Sequence, residues 1–253
     1  MNTPGFYDGK TVLLTGASTG IGKELAIKLM GTKCKLVLVA RRRELISEFV
    51  TSQPKRENLI ISGCDVSDKE AVSLLLDEVT QKMGQPDIVI LNAGVSLGEK
   101  YEILDEKATR ATMEINFFGV VNFVHPLLQP FLERKSGTFV IVSSLADGRG
   151  YPQSAAYSAS KAAVSIFAES LAIKTAPLGL KVITVKPGFV KTPMTDKNQF
   201  PMPFMISAEK AAEIIFNGII NGKRMIKFPF MTSFLTSLAN IAPYKIFAKA
   251  VRR

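Results

Sequence analysis

Six short runs rich in Val, Ile and Leu recur along the chain with helix-length segments between them. This alternation restricts the fold more than any single residue does. The runs are Thr11–Thr15, Lys35–Ala40, Leu59–Cys64, Asp87–Leu91, Thr138–Ser143 and Lys181–Lys186. They do not alternate apolar with polar residues, so each fits a strand buried on both faces. Between them, Ile21–Gly31 places Ile21, Leu25 and Leu29 at helical spacing, and Lys69–Met83 does the same with Val72, Leu75, Leu76 and Val79. Ala155–Thr175 is Ala-rich, with Val164, Phe167 and Leu171 at similar intervals. Repeated return from helix to strand builds βαβ units, whose right-handed crossovers set helices on both faces of a parallel sheet. The expected fold is α/β, a doubly wound parallel β-sheet of about seven strands in a three-layer α/β/α sandwich. Met225–Phe228 is the candidate seventh strand, at the sheet edge. No internal repeat and no Pro/Gly/Ser linker divides residues 1–253, which read as one domain.

Charge is spread unevenly. The chain has 32 Lys and Arg against 22 Asp and Glu, a formal net charge of +10. Residues 214–253 hold Lys223, Arg224, Lys227, Lys245, Lys249, Arg252 and Arg253 and no carboxylate side chain. Within the tail 227–253, Phe230, Phe234, Leu235, Leu238 and Ile241 recur at helical spacing, as do Phe247 and Val251 beyond Pro243. Such a basic amphipathic segment suits peripheral contact with a membrane surface, and a subunit or lid contact is the competing reading. A zinc finger, an RNP-like aromatic motif and a basic region feeding a heptad are all missing, which excludes specific nucleic-acid binding. Cys34, Cys64 and the single histidine, His125, assemble no metal set, and His125 beside Pro126 reads as structural. Met1–Phe6 shows no signal pattern, and no window of about 18 residues is apolar without interruption, so neither leader nor transmembrane span is expected. A reducing cytoplasm is the expected setting, with the membrane surface as a peripheral location.

The first run ends in Thr15-Gly16-Ala17-Ser18-Thr19-Gly20-Ile21-Gly22. Glycines between a strand and a helix let the backbone approach a pyrophosphate, whose charge meets the free N–H groups of the helix N-terminus. The spacing GxxxGxG resembles the signature of the classical short-chain dehydrogenase/reductase family, a Rossmann-like fold. The likeness continues in order through Asn92-Ala93-Gly94, Asn116, Ser143-Ser144, Tyr157-x-x-x-Lys161 and Pro187-Gly188. Cofactor contacts are then expected from Gly16, Ser18, Thr19, Gly20, Ile21 and Gly22, from Asp65 and Val66 near the adenine, and from Asn92, Ala93 and Gly94. Pro187, Gly188, Val190 and Thr192 would cap the nicotinamide. NAD-binding members end the second strand with an acidic residue. Here Arg41-Arg42-Arg43 stands there, and guanidinium pairs with a 2′-phosphate. The expected cofactor is NADP(H), with Arg41 as main contact and Arg42 as a second. Some NADP-binding relatives have a basic residue inside the glycine turn, where this chain has Thr19.

Tyr157 and Lys161 are one helical turn apart and share a face. A neighbouring ammonium favours the phenolate, so Tyr157 can give a proton in reduction and take one in oxidation. The resemblance further implies that Lys161 holds the nicotinamide ribose, that Ser144 hydrogen-bonds the substrate oxygen, and that Asn116 holds a water linking Lys161 to solvent. Ser143 is the rival to Ser144, and the 13-residue spacing to Tyr157 favours Ser144. Residues 193–206, with three Met, two Phe and three Pro among fourteen residues, form the expected substrate lid. Ser96-Leu97-Gly98 and Ala146–Tyr151 are the other expected walls. Together these imply an oxidoreductase moving hydride between nicotinamide and an apolar carbonyl or secondary alcohol, steroid-, lipid- or 3-oxoacyl-like. The family also suggests a homo-oligomer. The alternatives are a catalytically silent cofactor-binding regulator or scaffold, and a lipid-ketone reductase working at a membrane surface.

Overall fold

The computed structural model describes residues 5–54, 56–97, 105–198 and 200–251. The sequence readings at Met1–Pro4, Gly98, Gln199, Arg252 and Arg253 lie outside the described residues.

The strands are β1 (Thr11–Thr15), β2 (Lys35–Val39), β3 (Leu59–Ser62), β4 (Ile88–Leu91), β5 (Thr138–Val142), β6 (Lys181–Pro187), β7 (Val190–Lys191), β8 (Ile206–Ser207) and β9 (Met225–Phe228). Seven of them make one sheet in the order β3-β2-β1-β4-β5-β6-β9. Every pairing in it is parallel. The chain works outward from β1 to β3, then returns to place β4 on the other side of β1. Loops leaving β1 and β4 therefore diverge, and a crevice opens between them at the carboxyl ends of the strands.

The helices are α1 (Gly20–Met30), α2 (Arg43–Thr51), α3 (Lys69–Met83), α4 (Glu106–Met113), α5 (Gly119–Glu133), α6 (Ala155–Thr175), α7 (Ala208–Ile220), α8 (Phe230–Ile241) and α9 (Tyr244–Val251). Successive strand residues point to opposite faces, so each strand feeds two cores. Val12, Leu14, Leu36 and Leu38 pack with Leu25 and Leu29 of α1 and with Ile215 and Ile219 of α7. Leu13, Val37, Val89, Phe139 and Ile141 pack on the other side with α3, α5 and α6 through Val79, Phe123, Phe131 and Val164.

Three expected strands run one or two residues too far. Ala40, Cys64 and Ser143 fall beyond the ends of β2, β3 and β5 and line the crevice instead. They are apolar or small because they are covered, which mimics strand composition. The stretch 106–133 is long and apolar enough to cross a membrane by length and composition alone. Its Phe123, Val124, Leu127 and Phe131 are buried against the sheet, which makes it a core helix. Between α4 and α5 it widens into a π turn at Glu114–Phe118. The expected lid is the loop whose ends β7 and β8 clamp, with Val190 opposite Ile206.

Candidate active site

The crevice is a cleft of about 630 Å³. The glycine turn forms its floor. Gly16 and Gly20 have φ of +68° and +56°, which side chains rarely adopt. A Cβ on Gly22 would lie 2.0 Å from the Gly16 carbonyl oxygen, so the turn closes only without one. Asn92 fastens this turn to β4. Its Nδ2 donates to the carbonyls of Thr15 at 3.1 Å and Gly16 at 3.2 Å. Thr15 Oγ1 in return accepts from the N–H groups of Asn92 and Ala93, both at 3.1 Å. No side chain caps the start of α1 at Thr19. The orphan N–H groups of that first turn therefore remain for an anion.

Every residue expected to hold the cofactor lines this one cleft: Gly16, Ser18, Thr19, Gly20, Ile21, Gly22, Arg41, Arg42, Asp65, Val66, Asn92, Ala93, Gly94, Tyr157, Lys161, Pro187, Gly188, Val190 and Thr192. Arg41 Nη1 stands 3.8 Å from Asp65 Oδ2. The other carboxylate oxygen of Asp65 accepts from Ser67 N at 3.0 Å and Ser67 Oγ at 2.7 Å, which fixes the carboxylate at the wall. At the opposite end Thr192 arches over α1, its γ-methyl 2.9 Å from where a Gly20 Cβ would sit. Thr195 holds that arch, donating from Oγ1 to Val190 O at 2.7 Å and accepting from Thr192 N at 2.9 Å.

Lys161 is buried, and its Nζ donates to Val142 O at 2.9 Å. Burial pushes its ammonium down from 10.5 to about 8. The Nζ lies 5.9 Å from the centre of the Tyr157 ring. Burial raises the Tyr157 phenol above its ordinary value; a hydrogen bond from Ser144 works against this, and the Asp147 carboxylate adds to it. Ser144 Oγ also accepts from Ala146 N at 3.1 Å.

Ser144 and Asn116 do not line the cleft; Ser143 does. The Ser143 hydroxyl is nevertheless spent, donating to the Lys161 carbonyl at 2.9 Å, whereas Ser144 stays beside the phenol. Asn116 lies behind Gly94, in the π turn. Its Nδ2 donates to Val95 O and Ser160 Oγ, each at 2.9 Å, and its Oδ1 accepts from Val95 N at 2.7 Å. The amide thus staples the segment after β4 to α6, and one Oδ1 lone pair is the polar capacity it has left. His125 is exposed on α5 and does not reach the cleft.

Sequence reasoning missed a charged cluster behind the phenol. Lys186 Nζ and Asp147 Oδ2 pair at 2.6 Å, both largely buried. Ser165 donates to the same Asp147 oxygen, and its Oγ is 2.7 Å from Ser143 Oγ. The lysine that closes the sixth run, directly after buried Val185, was the available signal. Also missed as cleft lining were Val95, Ile115 and Val142, which directly adjoin motif residues, whereas Thr195 and Lys197 of the expected lid do line it.

Fold and cleft together define a dinucleotide-binding oxidoreductase of the Rossmann-like class. The family model described as short chain dehydrogenase matches residues 10–201. An uncharacterized oxidoreductase of Myxococcus xanthus is 33% identical over 96% of this chain and 97% of its own length. An 11-beta-hydroxysteroid dehydrogenase-like protein of Arabidopsis thaliana is 32% identical over 93% of this chain and 78% of its own. Two solved short-chain dehydrogenases share the fold at 22% identity and a TM-score of 0.82. One, from Burkholderia cenocepacia in complex with NADP, covers 98% of this chain and 99% of its own. The other, from Burkholderia phymatum in complex with NAD, covers 92% and 93%. The chain belongs to the short-chain dehydrogenase family and is an oxidoreductase.

The buried ammonium makes the protein's stability depend on pH. Below about pH 8 the folded state carries the charge at a cost; between pH 8 and 10.5 the folded state releases a proton that the unfolded state keeps, so stability rises. A displacement of this size corresponds to about 3 kcal/mol, and leaving Val142 O without its donor returns about 1 kcal/mol of it. Lys161→Met should therefore be more stable than the parent by about 2 kcal/mol at pH 7, a gap that closes toward pH 10 in urea titrations without nucleotide.

The Lys186–Asp147 pair should tune the phenol. Lys186→Met leaves the carboxylate uncompensated, so the rise of alcohol oxidation with pH should move to higher pH. In Lys186→Met with Asp147→Asn the charge is gone, and the rise should move back. Identical profiles in all three proteins would show that the pair has no hold on Tyr157.

Proposed function

We propose that the protein is an NADP(H)-dependent reductase/dehydrogenase acting on an apolar carbonyl/secondary-alcohol pair. The observation that carries this reading is one continuous cleft with a fixed carboxylate and two arginines at one end and the Tyr157–Lys161 pair at the other. The residues present fit such a cofactor. The Gly16–Gly22 turn leaves a backbone cradle that a Cβ would fill, and the uncapped start of α1 suits a pyrophosphate. Arg41 and Arg42 supply the cationic partners of a 2′-phosphate, and the turn that follows β2, Ala40-Arg41-Arg42-Arg43, has no acidic residue of its own. The NADP-bound and NAD-bound neighbours support a nicotinamide nucleotide and do not separate the two.

When bound, the nicotinamide supplies or accepts the hydride. The chain's part is to handle the proton and the charge. Tyr157 donates its phenolic proton to the carbonyl oxygen in reduction and takes it back in oxidation. Ser144, beside the phenol, donates to the oxygen on which charge grows. Lys161, its ammonium lowered by burial to about 8, favours the phenolate when charged and holds the ribose hydroxyls. Asn116 keeps Val95 and α6 in register, so Lys161 stays aimed past Gly94.

The lid supports an apolar substrate. Met194, Phe200, Phe204 and Met205 are exposed on it. The relatives named as hydroxysteroid dehydrogenase-like point to the same chemistry, a steroid- or lipid-like ketone. A homo-oligomer belongs to this reading: Ile166 and Ile173 stand 65% and 62% exposed on α6, a face that a second copy would cover. So does a cytoplasmic setting, with Cys34 and Cys64 both unpaired.

The test is nucleotide titration followed by a carbonyl panel read at the reduced-nicotinamide absorbance. NADPH should bind more tightly than NADH, and Arg41→Ala should weaken NADPH by about tenfold or more while leaving NADH nearly unchanged. Tyr157→Phe should lower kcat by about 10²–10⁴ with nucleotide binding retained. Preference for NADH would overturn the cofactor assignment, and undiminished turnover in Tyr157→Phe would remove the proton donor.

A further inference from the structure

Helix α8 is inverted. Thr232 is buried and Ser233 and Thr236 are half-buried, whereas Phe230 is 79% and Ile241 80% exposed. Phe230, Phe234, Leu238 and Ile241 follow one another at spacings of three and four, with Met231 and Leu235 alongside, so the exposed residues form one stripe. A surface helix ordinarily turns its apolar stripe to the core. Helix α9 extends the face with exposed Tyr244 and Ile246 while Phe247 turns inward.

The exposure does not come from a loosely attached tail. Arg149 Nη1 donates to Asn240 O at 3.1 Å and Ala242 O at 3.0 Å, closing the end of α8. Its guanidinium lies 4.3 Å from the centre of the Phe247 ring, and the Tyr151 ring meets the same ring edge-on at 5.7 Å. Both anchors belong to the loop that follows Ser144. On the inner side, Thr232 Cγ2 lies 2.9 Å from where a Gly188 Cβ would sit, so α8 rests on the segment that lines the nicotinamide end of the cleft. The stripe is thus fixed over the substrate end.

What covers it is indicated by charge. Lys223, Arg224, Lys227, Lys245 and Lys249 are all exposed, and residues 214–253 contain no Asp or Glu. A second copy meeting this face about a two-fold axis would bring cations toward cations. An anionic bilayer supplies both the apolar phase and the counter-charge. We propose that the α8–α9 face docks on an anionic phospholipid surface, its stripe among the acyl chains and Lys245 and Lys249 at the headgroups. Docked in this way, the cleft would draw an apolar carbonyl substrate from the lipid phase; this last step rests on the reductase reading, and the docking itself does not.

The test is co-sedimentation of the full chain with vesicles of phosphatidylcholine alone or mixed with phosphatidylglycerol. The protein should pellet with the mixed vesicles and be released by salt. Phe234→Ser with Leu238→Ser, and separately Lys245→Glu with Lys249→Glu, should each lower the partition coefficient by about tenfold or more. Circular dichroism and turnover of a water-soluble carbonyl should be unchanged in both. Protein that stays in the supernatant with the phosphatidylglycerol-containing vesicles would overturn the proposal. So would a lipid-free oligomer, seen by sedimentation velocity, that dissociates in Phe234→Ser with Leu238→Ser, since a second copy would then be the cover. A chain that binds vesicles yet reduces no carbonyl would keep the docking and remove the reductase reading.

Discussion

The site depends on how the chain is joined where its two halves part. β1 and β4 are neighbours whose loops diverge, and nothing in the sheet ladder beyond their ends holds them together. The side chains of Thr15 and Asn92 do so, making four hydrogen bonds across the gap, two between these residues, one to the Gly16 carbonyl and one from the Ala93 N–H. Their side chains satisfy backbone groups that the glycine turn would otherwise leave open. That seam keeps Gly16 against Ala93, and hence the cradle floor against the wall that carries Gly94, Val95 and Asn116.

From the seam the geometry passes to the catalytic pair by short links. Asn116 ties Val95 to Ser160 of α6, one residue before Lys161. Ser143 ties the end of β5 to the Lys161 backbone, and Val142 holds the Lys161 amine. The lysine is therefore confined from three directions before any ligand arrives. This confinement costs stability, because a buried ammonium has lost its water. The same desolvation brings its proton near the range where it can exchange, a common trade between stability and function at such sites.

The charge pair behind the phenol shows a second level of control. Asp147 sits on the turn after Ser144 and is close enough to act on Tyr157. Lys186 neutralises it from β6, and Ser165 fixes it to α6. One carboxylate therefore joins three elements and sets part of the field at the phenol. The α8–α9 cap fastens to the same loop through Arg149 and Tyr151, so the basic tail and the catalytic turn share a mounting.

Local sequence determined the layered architecture. Runs of Val, Ile and Leu long enough only for strands, with helical periodicity between them, admit few arrangements. The start of each cleft loop was legible as well, because glycine turns, Asn-Ala-Gly and Pro-Gly have backbone requirements that few other residues meet. Tertiary structure alone decided what touches what. The 106–133 stretch reads as apolar whether a membrane or a sheet covers it, and only packing chose the sheet. Asn116 stood out in the sequence only by resemblance, and it took the fold to turn its amide onto Val95 and Ser160. Lys186, Asp147 and Ser165 lie far apart in sequence, and α8 carries an amphipathic pattern whose period is local but whose outward facing is not. Periodicity records which residues share a face; the direction of that face is set by the rest of the molecule.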